Sequence, residues 1–313
     1  MSIPLVILAG PTGIGKTEVA LELAERLHAE IVGADSMQIY RFMDIGTAKP
    51  TMEERSRVPH HLIDIRNPDE EYSAADYARD ATRVICDIDA RGKLPLLVGG
   101  TGLYIQAVVY GIFEGPGRDE TYREHLRELA EEYGNLALYQ KLETLDPLSA
   151  HRLHPNDLVR VIRALEIFHL TGIPISAYQA TATTPLAAFT PCFLGLTTER
   201  EILYDRIETR VDAMIETGLV EEVQGLLQQG YHAELNAMKS LGYKEIVAFL
   251  QGQTDLPTAI TQIKRDSRRY AKRQLTWFRK YQNVLWVHRT PDMSSDQIVA
   301  RCLEHIEMWR ANL

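Results

Sequence analysis

Pro4-Leu-Val-Ile-Leu-Ala9, followed by Gly10-Pro11-Thr12-Gly13-Ile14-Gly15-Lys16-Thr17, is the stretch that decides the fold. An apolar run of strand length enters a glycine-rich turn that fits GxxxxGK[ST]. Beyond it, Val19, Ala20, Leu23, Ala24 and Leu27 recur at helical spacing. Strand, loop and helix in this order are the context in which the motif binds phosphate. Its glycines let backbone N–H groups turn inward, the helix N-terminus adds partial positive charge, and Lys16 adds a full one. Thr17 is placed to hold Mg²⁺ shared with a phosphate oxygen. Gly10 to Thr17 therefore reads as a cradle for a diphosphate or triphosphate; the alternative is a glycine-rich turn without a ligand.

Outward from the cradle, Glu30 to Gly33 is a second buried strand ending at Asp35, His61-Leu62-Ile63-Asp64 is a possible third, and Leu94 to Val98 is a fourth. A helix runs from the Ser73 cap to about Ala90 and is closed by Gly92; another follows Gly99-Gly100-Thr101-Gly102. Apolar strands alternating with helices predict a parallel sheet covered on both faces. Ligands bind beyond the carboxyl ends of such strands, where the loops 10–17, 35–38 and 99–104 would open. Phosphoryl-transferring relatives of this loop usually carry an acid at the end of a later strand to help hold Mg²⁺. Here Leu94 to Val98 ends in Gly99, and Asp64 is a weaker substitute. Asp35 instead stands across from the cradle, where a carboxylate can act as a general base. Capping a turn, or binding metal through water, is its other reading.

The pattern changes at Gly115-Pro116-Gly117, after which helices are predicted over 119–133, 136–145 and 156–170. A Thr/Ala/Pro-rich loop (181–191), a strand (192–196), helices over 199–250, a long helix (258–280), a strand (284–287) and a terminal helix complete the chain. The predicted class is α/β: a P-loop-type parallel sheet with helices on both faces, interrupted by an all-helical insertion. The core would be 1–115 with 190–313, and the insertion 116–189.

The chain has 313 residues and a net charge of −9. That acidity hides a local excess: between Lys264 and Lys280 stand eight basic residues and one acid, Asp266, which leaves the rest at −16. Arg265, Arg268, Arg269, Lys272 and Arg273 are assigned to a face without compensating acids, suited to a phosphate backbone. Ile260, Ile263, Tyr270, Ala271, Trp277 and Phe278 are assigned to the core. No apolar run is long enough for a membrane span, and no secretory signal is visible. Cys86, Cys192 and Cys302 are too scattered for a zinc site and suit a reducing compartment, so a cytoplasmic location is expected. The ten histidines show no ligand spacing, and His60-His61 reads as structural. Nothing demands more than a monomer or an obligatory protein partner.

Several stretches together resemble the tRNA dimethylallyltransferases, or tRNA isopentenyltransferases. They are Gly10 to Thr17, Asp35-Ser36-Met37-Gln38-Ile39-Tyr40, Asp44 to Pro50, His61 to Asp64, Val98 to Tyr104, Asn156-Asp157 with Arg160 and Arg163-Ala-Leu-Glu166, Arg206 with Arg210-Val211-Asp212, Gly242 to Glu245, and Ala271 to Arg279. The zinc-finger extension of eukaryotic members is absent, which suggests the bacterial or organellar type. The resemblance implies transfer of the dimethylallyl group of dimethylallyl diphosphate to N6 of adenosine 37 in tRNA, with Mg²⁺ and release of pyrophosphate. It implies Asp35 as base, Thr101 as donor to the bridging oxygen, and Lys16 and Arg210 on the phosphates. Arg206 is the rival of Arg210, and both also read as a surface pair. For the tRNA anticodon stem-loop it implies Asp35, Ser36, Met37, Gln38, Thr101, Arg123, Val159, Arg160, Val161, Ile162, Arg163, Lys239, Ser240, Leu241, Gly242, Tyr243, Lys244, Arg268, Arg269, Lys272, Arg273, Gln274, Trp277 and Arg279. Arg123 also reads as part of a solvated helix face, and Arg163 as a partner of Glu166. The competing readings are a small-molecule P-loop kinase and a nucleotide-dependent RNA-binding switch.

Overall fold

The structure is a computed structural model that describes residues 2–112, 115–181 and 188–312. It divides into two compact units, Met1–Val109 with Ala187–Leu313, and Tyr110–Leu186.

The larger unit is built on a six-stranded parallel sheet. Its strands are β1 (Ile3–Ala9), β2 (Ala29–Ala34), β3 (His60–His61), β4 (Leu94–Gly99), β5 (Phe189–Thr198) and β6 (Leu285–Arg289), in the order β3-β2-β4-β1-β5-β6. Every residue of β2 is buried, as a strand covered on both faces requires. Helices α1 (Lys16–Leu27) and α14 (Ser295–Arg310) pack together against the sheet, and α3 (Ala74–Ala90) packs on β2 and β4. Register sets the functional end: Gly99 pairs with both Ala9 and Ala34, so β1, β2 and β4 finish level and the loops after them open side by side.

Gly99 is fixed by that close finish. A Cβ there would lie 2.1 Å from the Ala34 carbonyl oxygen, so no side chain, and no metal-holding acid, fits at this strand end. The third strand is shorter than the sequence suggests. Leu62 and Asp64 take positive φ angles of 63° and 56°, which breaks the extended run after His61. His60 and His61 hydrogen-bond to the Val58 carbonyl and the Glu30 carboxylate, in keeping with their structural reading.

The region 199–250 forms a second core with the segment after β2. Helices α10 (Arg200–Thr217), α11 (Leu219–Gln228), α12 (Tyr243–Leu250) and α13 (Leu256–Phe278) surround Ile39, Tyr40 and Met43 through Val211, Leu219, Val223, Tyr243 and Ile263.

The smaller unit is helical: α5 (Glu120–Tyr133), α6 (Asn135–Leu145), α7 (Pro147–Arg152), α8 (Leu158–Thr171) and α9 (Ile175–Thr181). Its apolar core joins Leu126, Leu138, Leu142, Val161 and Leu165. Helix α7 is absent from the sequence reading although its signals are present: Asp146 caps it through the Ser149 N–H, and Pro147 occupies the first turn. The expected loop over 181–191 lies partly outside the described residues, and β5 begins at Phe189.

Glu166 centres this unit at 0% exposure. It accepts from the Asp119 N–H (2.9 Å), Arg123 Nε (2.7 Å) and Nη2 (2.8 Å), and Arg163 Nη1 (2.5 Å). Burial alone would raise its pKa, but hydrogen bonds from Arg123 and Arg163 hold it down at about 2. Its stabilisation is therefore complete above the ordinary value of 4.5 and lost as pH falls toward 2. Glu166→Gln leaves the partly buried guanidinium groups of Arg123 and Arg163 short of a counter-charge. It should destabilise this unit by about 1.5–3 kcal/mol at neutral pH, read as faster hydrogen exchange of α5 and α8 amides.

Candidate active site

The phosphate cradle folds as its glycines allow. Gly13 and Gly15 adopt φ of 81° and 95°, a region closed to most side chains, and so turn the loop over the start of α1. Lys16 Nζ donates to the Gly10 and Pro11 carbonyls at 2.9 and 3.0 Å. The loop is braced from other elements: Arg206 Nε donates to Gly13 O (2.9 Å), Arg289 to Ile14 O (3.3 Å), and the Thr12 N–H to Gln274 Oε1 (2.9 Å). Arg210 donates to the Thr12 hydroxyl. Its Nε is buried and has no hydrogen-bond partner among the described residues, so a buried cationic donor is left over beside the cradle.

A cavity of about 690 Å³ opens over these strand ends. Thr12, Gly13, Gly15, Lys16, Thr17, Asp35, Gln38, Gly99, Arg206, Arg210, Tyr270 and Gln274 all line it. Burial lowers the Lys16 pKa to about 8, against the pull of Asp35 and with a smaller push from Arg210. Burial also lowers that of Arg210, again opposed by Asp35. Lys16, Arg210 and Asp35 thus influence one another at the cradle, while the wider lining adds Arg206 and the carboxylates Glu18, Glu54 and Asp205.

Asp35 caps a turn with one carboxylate oxygen and leaves the other unengaged among the described residues. Its Oδ1 accepts from the N–H groups of Met37 (2.8 Å) and Gln38 (3.4 Å), which caps the turn. Its Oδ2 has no hydrogen-bond partner among the described residues, and the carboxylate lines the cavity. Thr101 is tied to the same turn: its hydroxyl accepts from the Ser36 N–H at 3.0 Å and donates to Ser36 Oγ at 3.4 Å.

Sequence reasoning missed Tyr270. Assigned to the core, it lines the cavity. Burial, with Asp35 adding, pushes its pKa up to about 12, so its phenol stays protonated. Gln274, expected at the RNA, is 7% exposed and turned inward; its Nε2 donates to Gly100 O at 2.9 Å, completing a bridge from the cradle to the 99–102 turn. The available signal was spacing: Ser267, Ala271, Gln274 and Phe278 lie on one buried stripe of α13, and two of them are polar.

The expectation that the basic helix lacks acids fails. Arg268 pairs with Glu208, Lys264 with Asp212 at 2.7 Å, and Arg265 and Arg269 with Asp266 at 2.9 and 3.2 Å. Lys272, Arg273 and Arg279 are exposed. Trp277 packs against Gly102, where a Cβ would lie 2.3 Å from its ring, and Lys280 sits 5.2 Å over it. In the 239–244 segment Lys239 and Lys244 are exposed, Ser240 and Leu241 are half-buried, and Gly242 and Tyr243 are buried. In the helical unit Val159 is 81% exposed, Arg160 pairs with Asp157, Val161 and Ile162 are buried, and Arg123 and Arg163 are held by Glu166. Met37 packs on the second core, and Asp64 is engaged by Lys49 and Arg55 outside the cavity lining.

Among the described residues no group of three His, Cys, Asp or Glu side chains could hold a metal ion. Thr17, lining the cavity beside Lys16, offers a hard oxygen, which suits Mg²⁺ held mainly by phosphate oxygens and water.

The profile of the IPP transferase family matches residues 38–281. A tRNA dimethylallyltransferase of Geobacter metallireducens is 54% identical over 283 residues, covering 90% of this chain and 92% of that protein. One from Alkaliphilus metalliredigens is 48% identical over 97% of both chains. The crystal structure of the tRNA isopentenylpyrophosphate transferase of Bacillus halodurans matches with a TM-score of 0.71 and 45% identity, covering 98% of each chain. A eukaryotic dimethylallyltransferase acting on tRNA matches with a TM-score of 0.81 and 29% identity, covering 98% of this chain and 80% of that one. With the cradle, the level strand ends and the carboxylate-bearing cavity already in place, these matches establish that the chain belongs to the IPP transferase family.

Proposed function

We infer that the protein is a tRNA dimethylallyltransferase that moves the dimethylallyl group of dimethylallyl diphosphate to N6 of adenosine 37, releasing pyrophosphate in the cytoplasm. The observation that carries this reading is the single cavity in which Asp35 shares space with Lys16 and Arg210.

The loop N–H groups, Lys16 and Arg210 bind the diphosphate; Lys16 leaves the Gly10 and Pro11 carbonyls to do so. As the allylic C–O bond breaks, negative charge builds on the bridging oxygen, where cationic and N–H donors act most strongly in a dry site. Thr101 donates its hydroxyl there, held in place by Ser36. The adenine amine is a poor nucleophile because its lone pair is delocalised into the ring. Asp35 Oδ2 takes one N6 proton as the N6–C bond forms, and the pyrophosphate departs. Thr17 would hold Mg²⁺, which supplies further neutralisation of the diphosphate when bound. The target base must leave the anticodon stack to reach Asp35.

Exposed Lys239, Lys244, Lys272, Arg273 and Arg279 supply backbone contacts, and the helical unit, through Val159 and Arg160, meets the anticodon stem. Changing Lys272, Arg273 and Arg279 together to Ala should weaken tRNA binding. It should also reduce the slope of log affinity against log salt by about 2–3, since each phosphate contact contributes about 0.7–0.9. Arg268→Ala should alter the slope less, because Glu208 already neutralises that guanidinium. A filter-binding salt series checks both.

The deciding assay combines protein, Mg²⁺, labelled dimethylallyl diphosphate and unmodified tRNA. Label should enter the RNA at adenosine 37. ATP turnover without labelled RNA would favour the kinase reading, which the exclusion of any side chain at Gly99 disfavours.

A further inference from the structure

Thr47, Ala48 and Pro50 form one wall of the cavity, on a segment that belongs to no helix or strand. What holds it is a carboxylate outside the cavity lining. The N–H groups of Asp44 and Ile45 donate to Glu222 Oε2 at 2.8 and 2.7 Å, and that of Gly46 donates to Oε1 at 3.1 Å. The Tyr243 hydroxyl donates to the same Oε1 at 2.6 Å. Tyr243 is wholly buried, and burial together with Glu222 keeps its phenol protonated. Its ring lies against Gly46, where a Cβ would come within 2.5 Å of it, so glycine is required for the fit.

The wall is tied onward to the base. Gln38 Nε2 donates to the Thr47 and Ala48 carbonyls, both at 3.1 Å, while the Gln38 N–H donates to Asp35 Oδ1 at 3.4 Å. Lys49 anchors the far end on Tyr40 O (2.8 Å), Asp44 (2.5 Å) and Asp64 (2.6 Å). Contacts therefore run from Glu222 through Asp44–Ala48 and Gln38 to the turn that aims Asp35.

We propose that Glu222 is a positioning residue for the transfer, fixing the Asp44–Pro50 wall and, through Gln38, the orientation of Asp35. The inference rests on Asp35 being the base of the reaction proposed above.

Glu222→Gln keeps one acceptor oxygen but sets an NH₂ group against backbone donors. Because small misplacements of reacting groups cost up to about 10²-fold, kcat should fall by about 10- to 100-fold, with KM for dimethylallyl diphosphate and tRNA affinity nearly unchanged. The Asp44, Ile45 and Gly46 amides should exchange hydrogen faster. Tyr243→Phe, which keeps the ring and deletes one of four donors, should show the same split at smaller amplitude, and it decides the matter if Glu222→Gln fails to fold. The double variant should be no worse than Glu222→Gln, because the hydroxyl donates its hydrogen bond to Glu222. Faster amide exchange with unchanged kcat would leave Glu222 as a fold-holding residue and overturn the proposal, as would additive losses. A wild-type protein that transfers no label would instead sink the functional reading itself, a failure visible before any variant is made.

Discussion

Asp35→Asn should lower turnover of prenyl transfer by about 10²–10⁴-fold, the usual contribution of a positioned general base, while tRNA affinity changes little. Asparagine is more informative than alanine because its side-chain oxygen still accepts from the Met37 N–H, so the turn that presents Ser36 to Thr101 survives. Only the proton acceptor and its charge are lost. The charge loss has its own signature: Asp35 holds up the Lys16 pKa, so in the variant the ammonium should deprotonate at lower pH than in the wild type. Single-turnover kinetics with saturating tRNA read the first effect, and the alkaline limb of kcat/KM reads the second. Unchanged turnover would remove Asp35 as the base.

The second large effect belongs to Lys16. Its pKa is lowered to about 8 in the free protein, so the ammonium is intact below that pH and lost above it. Since kcat/KM reports ionisations of the free enzyme, its value for dimethylallyl diphosphate should be flat below about pH 8 and fall about tenfold per pH unit beyond. A bound diphosphate favours the charged form and raises the pKa, so kcat should show no such limb. Lys16→Arg keeps the charge at every accessible pH and should abolish the limb, although a planar guanidinium will not reproduce the same contacts. Lys16→Ala should lose about 10²–10³-fold in kcat, as deletion of a donor to developing charge does. A limb that persists in Lys16→Arg would assign it to another group.

What the sequence disclosed, and what it hid, follows from the distance over which each property is decided. The cradle was legible because strand, glycine turn and helix are contiguous, and Asp35 because it follows the next apolar strand of the chain. The polar lining contributed by α13 was not. Hydrophobic periodicity sends Tyr270 to the core and the resemblance sends Gln274 to the RNA, whereas the fold sets both in the cavity lining. Charge counting along one helix failed for a related reason. The acids that answer Arg268 and Lys264 are Glu208 and Asp212, on a helix separated from them by α11 and α12. Glu222 left no local signal, since its four donors come from segments brought together only by the second core.

The crowding where β4 ends beside β2 also bears on redesign. Converting this scaffold into an ATP-consuming motor or kinase cannot be done with one codon at Gly99, because the backbone of Ala34 occupies the room a new carboxylate would need. The two strands would first have to be pried apart, and the turn that aims Asp35 would move with them.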